Sequence, residues 1–169
     1  MNVMEAIKNR RSIRKYQNKP VEKEKLNSVL EAARLAPSAR NRQEWQFIVV
    51  QDKQTREKLS IAANNQAFVS EAPVVIACCG LDDGYLMRCG QPATTVDLSI
   101  AIDHMTLKAV EEGLGSCWIG SFYKDEVKKI LGIPKDIQVV ELLTLGYPAE
   151  NPDTRDRKNL EEIVRWDKW

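Results

Sequence analysis

The sequence predicts one domain of mixed α and β structure, with helices on both faces of a sheet. A chain of 169 residues suits a single domain (1–169) with a sizeable buried core. Apolar runs of strand length alternate with stretches of helical periodicity. The run Ala72–Gly80, APVVIACCG, is apolar without alternation, which is typical of a strand that is covered on both faces.

The first half of the chain predicts three helices and one strand before this run. Asn2 is a suitable N-cap for a short first helix. A second helix is expected from Pro20 and has to end before Pro37, because a residue that precedes proline disfavours the helical conformation. A strand at Gln46–Gln51 and a helix at Thr55–Ala63 follow.

The second half contains a long helix, Thr95–Glu112, which Thr94 or Thr95 is expected to cap and whose apolar residues do not keep to one stripe. A helix that is apolar on most sides is buried on most sides, which is easier to arrange when a partner subunit covers one face. A strand at Ser116–Gly120 comes next, followed by a helix that Asp125 caps and Gly132 ends, and by a strand at Ile137–Gly146. The remaining arm, 147–169, ends on Trp166 and Trp169, which would be an unusual tail on a monomer.

The stretch Asn9–Tyr16, NRRSIRKY, is the most basic part of the chain and allows two interpretations. A solvated basic turn is the simpler one. An oxyanion clamp is the other, because Arg10, Arg11 and Arg14 offer fixed forks of donors and Ser12 adds a hydroxyl. Such a set suits a phosphomonoester, and the octamer alone leaves both interpretations open.

Composition narrows the possible functions. The net charge of +1 argues against a nucleic-acid module or a protein that binds anionic membranes. The longest apolar run is too short to span a bilayer, and no signal peptide is visible. Four cysteines without a C-x-x-C spacing and a single histidine, His104, predict no metal site. Three of the cysteines lie in apolar contexts, which favours buried thiols in a reducing cytoplasm.

Several motifs in a fixed order carry a family resemblance. They are RRSIRKY, APSARNRQEW leading into FIVV, EAPVVIACC, GLGSCWIGSF, KKILGIP, LGYP and a final R-x-R-K-x-L-E-E-I. Over essentially its whole length the chain resembles the FMN-dependent nitroreductase family in its short form. The resemblance implies an α+β fold with a central, mainly antiparallel sheet and helices on both faces. It also implies a homodimer that exchanges the C-terminal arm and binds two FMN molecules at its interface.

The resemblance implies an oxidoreductase that passes electrons from NAD(P)H through FMN to a small electron-poor acceptor, such as a nitroaromatic or a quinone. A second class stays open, namely an FMN-binding protein without NAD(P)H turnover that acts as a flavin carrier, sensor or scavenger. No side chain is expected to act as a nucleophile, since the chemistry belongs to the flavin.

The same resemblance suggests a role for particular residues. Those at the ribityl-phosphate end are Arg10, Arg11, Ser12, Arg155 and Arg157. Arg14 is expected to be the cation at the pyrimidine edge of the flavin and to act as an electrostatic stabiliser. A loop from the other subunit is expected to contribute Pro37, Ser38, Ala39 and Asn41. Asn64 is expected to read the polar edge of the ring, while Ile119, Gly120 and Ser121 face the nitrogen that accepts hydride.

Overall fold

The computed structural model describes residues 1–81 and 84–169. Within these ranges a four-stranded sheet has the order β1-β2-β4-β3, and every neighbouring pair of strands is antiparallel. The predicted α+β fold with a mainly antiparallel sheet is therefore confirmed. The strands are β1 (Trp45–Val50), β2 (Val74–Gly80), β3 (Gly115–Ile119) and β4 (Gln138–Gly146).

Helices surround the sheet, and most of them were expected from periodicity. They are α1 (Val3–Asn9), α2 (Lys23–Arg34), α3 (Lys53–Ala62), α4 (Phe68–Glu71), α5 (Ala93–Glu111), α6 (Lys124–Leu131) and α7 (Leu160–Ile163), with a 3-10 turn at Ala39–Asn41. Asn2 caps α1 as predicted, in a reciprocal capping box with Glu5.

Four of the predicted helix starts are wrong. Helix α2 begins at Lys23 rather than at Pro20, and α3 begins at Lys53 rather than at Thr55. The N-cap of α5 is Pro92 rather than a threonine, and Thr94 lies in the first turn with its hydroxyl buried. The N-cap of α6 is Tyr123, so that Asp125 falls inside the first turn. In the first turn the negative charge of Asp125 still interacts favourably with the positive end of the helix dipole. The prediction of a helix here is therefore correct although its predicted N-cap is not.

Strand β2 is buried along its whole length, as its apolar run predicted. One face of the sheet packs against α2 and α5 in a cluster that includes Val29, Ile76 and Leu98. The other face packs against α3 and α6 in a cluster that includes Leu59 and Val127. Helices on both faces are thus confirmed. In the part of the chain that is described, no helix is both long and apolar enough to cross a membrane.

The segment 10–16 follows the outer edge of β3 and connects the N-terminus to the sheet. Ser12 forms a parallel bridge with Ser116, and the Ile13 N–H donates to the Ser116 carbonyl at 3.0 Å. Ile13 packs directly over Gly115, where an added Cβ would lie 2.5 Å from the Ile13 Cγ1 atom. The close approach therefore requires glycine at position 115.

Tyr16 holds the far end of this segment. Its buried hydroxyl lies 2.7 Å from the Ile13 carbonyl oxygen and 2.7 Å from the Thr144 hydroxyl on β4. Burial raises the pKa of Tyr16 above its ordinary value, so the phenol is neutral. The hydroxyl thus ties the segment to the centre of the sheet.

Replacing Tyr16 with phenylalanine should lower the free energy of unfolding by about 1–3 kcal/mol, because a buried polar partner is left unsatisfied. Urea denaturation with unchanged m-value is the measurement. Tyr123→Phe is the matched control, since Tyr123 is 62% exposed and should change stability by less than ~0.5 kcal/mol. Equal stability of the two variants would show that the Tyr16 hydroxyl does not hold the segment.

Candidate functional site

A cavity of about 460 Å³ lies where the end of α1 and the segment 10–14 meet the C-terminal arm. The structure here brings together the N-terminal and C-terminal cations that the sequence singled out. The lining residues are Ile7, Lys8, Arg10, Arg11, Ser12, Arg14, Pro152, Asp153, Thr154, Arg155 and Arg157.

The cavity wall is strongly positive. Six cationic side chains face one carboxylate, that of Asp153. Among residues 1–81 and 84–169, no acidic side chain lies within ion-pair distance of Arg10, Arg14, Arg155 or Arg157. Like charges around one cavity repel one another, so an anion that binds in the cavity would relieve this repulsion.

Backbone contacts hold some of these cations in place. The Arg11 Nη1 atom donates to the carbonyls of Lys8 and Arg10, at 2.6 and 2.9 Å, and so caps the negative end of α1. The Arg157 Nη1 atom donates to the carbonyls of Arg155 and Asp156. Both guanidinium groups keep further N–H donors for a ligand.

Arg14 lies at the side of the cavity that is closest to α4. Its backbone N–H donates to a Glu150 carboxylate oxygen at 2.5 Å, and its guanidinium carbon lies 5.9 Å from the centre of the Phe68 ring. Arg14 thus lines the same cavity as the other cations and also reaches towards the corner between α3 and α4. The residue Glu150 was not expected from the sequence.

The corner between α3 and α4 lies next to the end of β3. Asn64 and Asn65 both have φ of 57°, and Asn64 is exposed. Gln66 makes the connection, because its Nε2 atom donates to the Ala63 carbonyl at 2.8 Å and to the Ser121 carbonyl at 3.2 Å. The predicted residues Asn64 and Ile119–Ser121 are therefore neighbours, with Gln66 between them.

The contact between Gln66 and Ser121 was not predicted, because an amide side chain after two asparagines is also typical of a helix end. A better signal would have been its position between α3 and the short α4, where a side-chain amide can reach a neighbouring loop.

Glu141 is a second residue that sequence reasoning missed. It lies on β4 with its carboxylate next to the backbone of Ile119 and Gly120. Burial raises the pKa of Glu141 to about 7, and a hydrogen bond from the Ile119 backbone offsets this only in part. A lone glutamate inside the apolar strand QVVELLTLG was the available signal.

The loop that contains Pro37, Ser38, Ala39 and Asn41 does not line the cavity of its own chain. Arg40, Asn41 and Gln43 have φ of 54–56°, a left-handed conformation that is costly for residues other than glycine. The buried Asp97 carboxylate of α5 accepts the Ala39 N–H at 3.0 and 3.1 Å, which holds the loop in this shape.

Comparisons with known proteins identify the family of this chain. The Nitroreductase family profile matches residues 7–83 and 60–147, which is more than half of the chain. The chain belongs to the nitroreductase family. The cations Arg155 and Arg157 lie beyond the matched ranges, so their place at the cavity is a feature of the structure rather than of the profile.

Individual relatives are similar over nearly all of this chain. A protein of Methanothermobacter thermautotrophicus, provisionally named NADH dehydrogenase/NAD(P)H nitroreductase, is 39% identical over 100% of this chain and 88% of its own. A Bacillus subtilis FMN reductase that uses NAD(P)H is 30% identical over 95% of this chain and 72% of its own. The crystal structure of a nitroreductase family protein from Clostridium difficile 630 is 38% identical, with a TM-score of 0.90 and full coverage of both chains.

Proposed function

We propose that this chain is an NAD(P)H-dependent flavin oxidoreductase that uses FMN and reduces a small electron-poor acceptor, such as a nitroaromatic or a quinone. The observation that carries the proposal is the cation-lined cavity, in a chain of a family whose members include an NAD(P)H-dependent FMN reductase. A cavity with six cations and no balancing set of carboxylates suits a dianionic phosphate.

The donors of the cavity fit the phosphate end of FMN. Arg10, Arg11, Arg155 and Arg157 would supply charge-assisted hydrogen bonds, and Ser12 would supply a hydroxyl. Arginine suits this task because its planar fork of donors matches phosphate oxygens. The segment that carries these residues is fixed to β3, so the donors are pre-organised.

The polar edge of the ring has its own candidates on the side of the cavity towards α4. Gln66 and Asn64 would contribute amides, and Ile119–Ser121 would contribute backbone donors and acceptors. The loop Pro37–Asn41 would come from a second copy of the chain, because it does not reach the cavity of its own. This division places the phosphate end and the ring end on different structural elements.

When bound, FMN would supply the redox chemistry, which consists of accepting a hydride from NAD(P)H and passing electrons to the acceptor. The chain would bind and orient the reactants. Arg14 would add a positive charge where negative charge develops, because Glu150 holds its backbone and Phe68 lies beside its guanidinium. A pre-organised charge lowers a barrier more than a mobile charge does, since no reorganisation is needed during the reaction.

A homodimer is part of the proposal. In the single chain Val96 of α5 is 37% exposed, although α5 is otherwise rich in buried apolar residues. The arm carries more apolar surface, with Trp166 at 84% and Trp169 at 108% exposure, and Leu160 and Ile163 are exposed as well. Apolar surface of this kind is typical of a segment that packs against a partner. A second copy of the chain would cover α5 and receive the arm.

NADH or NADPH should bleach the absorbance of the flavin-loaded protein within seconds under anaerobic conditions, because turnover of typical enzymes lies in the range of about 1–1000 per second. Dithionite serves as the chemical control for a reducible flavin. If dithionite bleaches the flavin and neither nucleotide does, the chain is a flavin-binding protein without NAD(P)H turnover and the proposed function is wrong.

FMN should bind at least about 100-fold more tightly than riboflavin, because the phosphate gains several charge-assisted hydrogen bonds of roughly 1.5–3 kcal/mol each. Fluorescence titration of flavin-free protein measures both affinities. Arg155→Gln should weaken FMN about tenfold or more and leave riboflavin unchanged. Arg14→Gln is the matched variant and should weaken both ligands alike. Equal affinities of the unmodified protein for FMN and riboflavin would exclude the phosphate assignment.

Deletion of residues 160–169 should give monomer or aggregate and abolish flavin binding, since it removes Leu160, Ile163, Trp166 and Trp169 but keeps Arg155 and Arg157. Multi-angle light scattering measures the mass. Glu161→Gln is a control that leaves the apolar residues of the arm in place. A truncated protein that stays dimeric and binds flavin would contradict the exchanged arm.

A further inference from the structure

Glu141 places an ionisable group directly behind the segment Ile119–Ser121. A Cβ atom at Gly120 would lie 3.8 Å from the Glu141 Oε2 atom and 3.9 Å from Oε1. Because Gly120 has no side chain and is exposed, only its backbone separates the carboxylate from whatever is bound there. The carboxylate is thus close to the proposed ring site without lining the cation cavity.

The carboxylate is poorly compensated. Its Oε1 atom is buried and has no hydrogen-bond partner among the residues that the structure describes. An orphaned buried oxygen is rare in folded proteins and calls for an explanation, such as a bound proton. Burial raises the pKa of Glu141 to about 7, whereas the Ile119 backbone favours the ionised form only weakly.

The neighbouring ionisable groups do not supply a counter-charge. On β2 the Cys78 thiol faces Glu141, and burial raises its pKa well above the ordinary value. On β3 burial also raises the pKa of the Cys117 thiol. The positive charges of Arg14 and Arg10 lower that pKa and offset part of the effect of burial. Among the described residues, none of the ionisable side chains of α5, which packs on β4, contributes to the pKa of Glu141. Those side chains are Asp97, Asp103, His104, Lys108 and Glu111.

We infer that Glu141 takes up a proton when a flavin ring is bound against Ile119–Ser121, an inference that rests on the proposed function. A ring at this place excludes water from the exposed Gly120 and so removes the remaining solvation of the carboxylate. Desolvation favours the neutral acid. In this step one O–H bond forms on the Glu141 carboxyl, the proton comes from the solvent buffer, and no electron moves.

The direction of the pH dependence follows from linkage. Flavin binding would raise the pKa of Glu141 from about 7 to a higher value in the complex. Binding is therefore accompanied by proton uptake only when the pH lies between these two pKa values. Affinity for flavin should therefore be constant below about pH 7 and fall as the pH rises above it. By reciprocity, a pH at which Glu141 is neutral favours the bound state.

Isothermal titration calorimetry at pH 7.5, in two buffers of different ionisation enthalpy, measures the protons taken up per flavin bound. The phosphate of FMN is mostly ionised at this pH, since its second pKa is about 6. Riboflavin has no phosphate, so a titration with riboflavin excludes any proton exchange by that group. Per flavin bound, the unmodified protein should take up about half a proton or more in excess of the number taken up by the Glu141→Gln variant. Glu126→Gln, which removes an exposed carboxylate from α6, should match the unmodified protein.

Equal proton uptake in the unmodified protein and Glu141→Gln would overturn the inference while leaving the proposed function intact. Failure of the unmodified protein to bind flavin would refute the proposed function and the inference with it. If Glu141→Gln does not fold, infrared difference spectra of the unmodified protein decide the question. A carboxylic acid C=O band that is gained on flavin binding supports the inference, and its absence refutes it.

Discussion

The pairing of the segment 10–16 with the edge of β3 determines the rest of the candidate site. Edge strands leave a row of unpaired backbone groups, and here the Ser12–Ser116 bridge and the Ile13 N–H use part of that row. Because alternate residues of an extended segment point to opposite sides, Ile13 is buried while Ser12 and Arg14 line the cavity. A structural contact with the core thus fixes where the cations project.

This arrangement concentrates positive charge at a cost to the folded state. Lys8, Arg10 and Arg11 come from one end of α1, whereas Arg155 and Arg157 come from an arm that is more than a hundred residues away in sequence. Repulsion between them is relieved when an anion binds, so a ligand that binds only the folded state also stabilises it. Coupling of this kind would hold an arm with little core of its own at the cavity when an anion is bound there.

Periodicity and capping rules predicted the parts of the fold that depend on local sequence. The buried strand β2, the Asn2 N-cap of α1 and the end of α6 at Gly132 are of this kind. The single turn α4 and the N-cap Pro92 could not be predicted, because tertiary packing rather than a local signal selects them. At the site, residue types alone left the N-terminal cations open between a solvated turn and an anion clamp, and only the family resemblance added Arg155 and Arg157. The contributions of Gln66, Glu150 and Glu141 depend on contacts between elements that are distant in sequence.

Glu141 also illustrates why a strand can contain a residue that lowers its stability. The pKa of this side chain is raised from 4.5 to about 7 in the folded chain, so the unfolded chain loses its proton first as the pH rises. The folded state therefore loses stability between these two values, and an apolar residue at position 141 would avoid that loss. In the proposed site, the ring end next to Glu141 would therefore be the part that responds to pH.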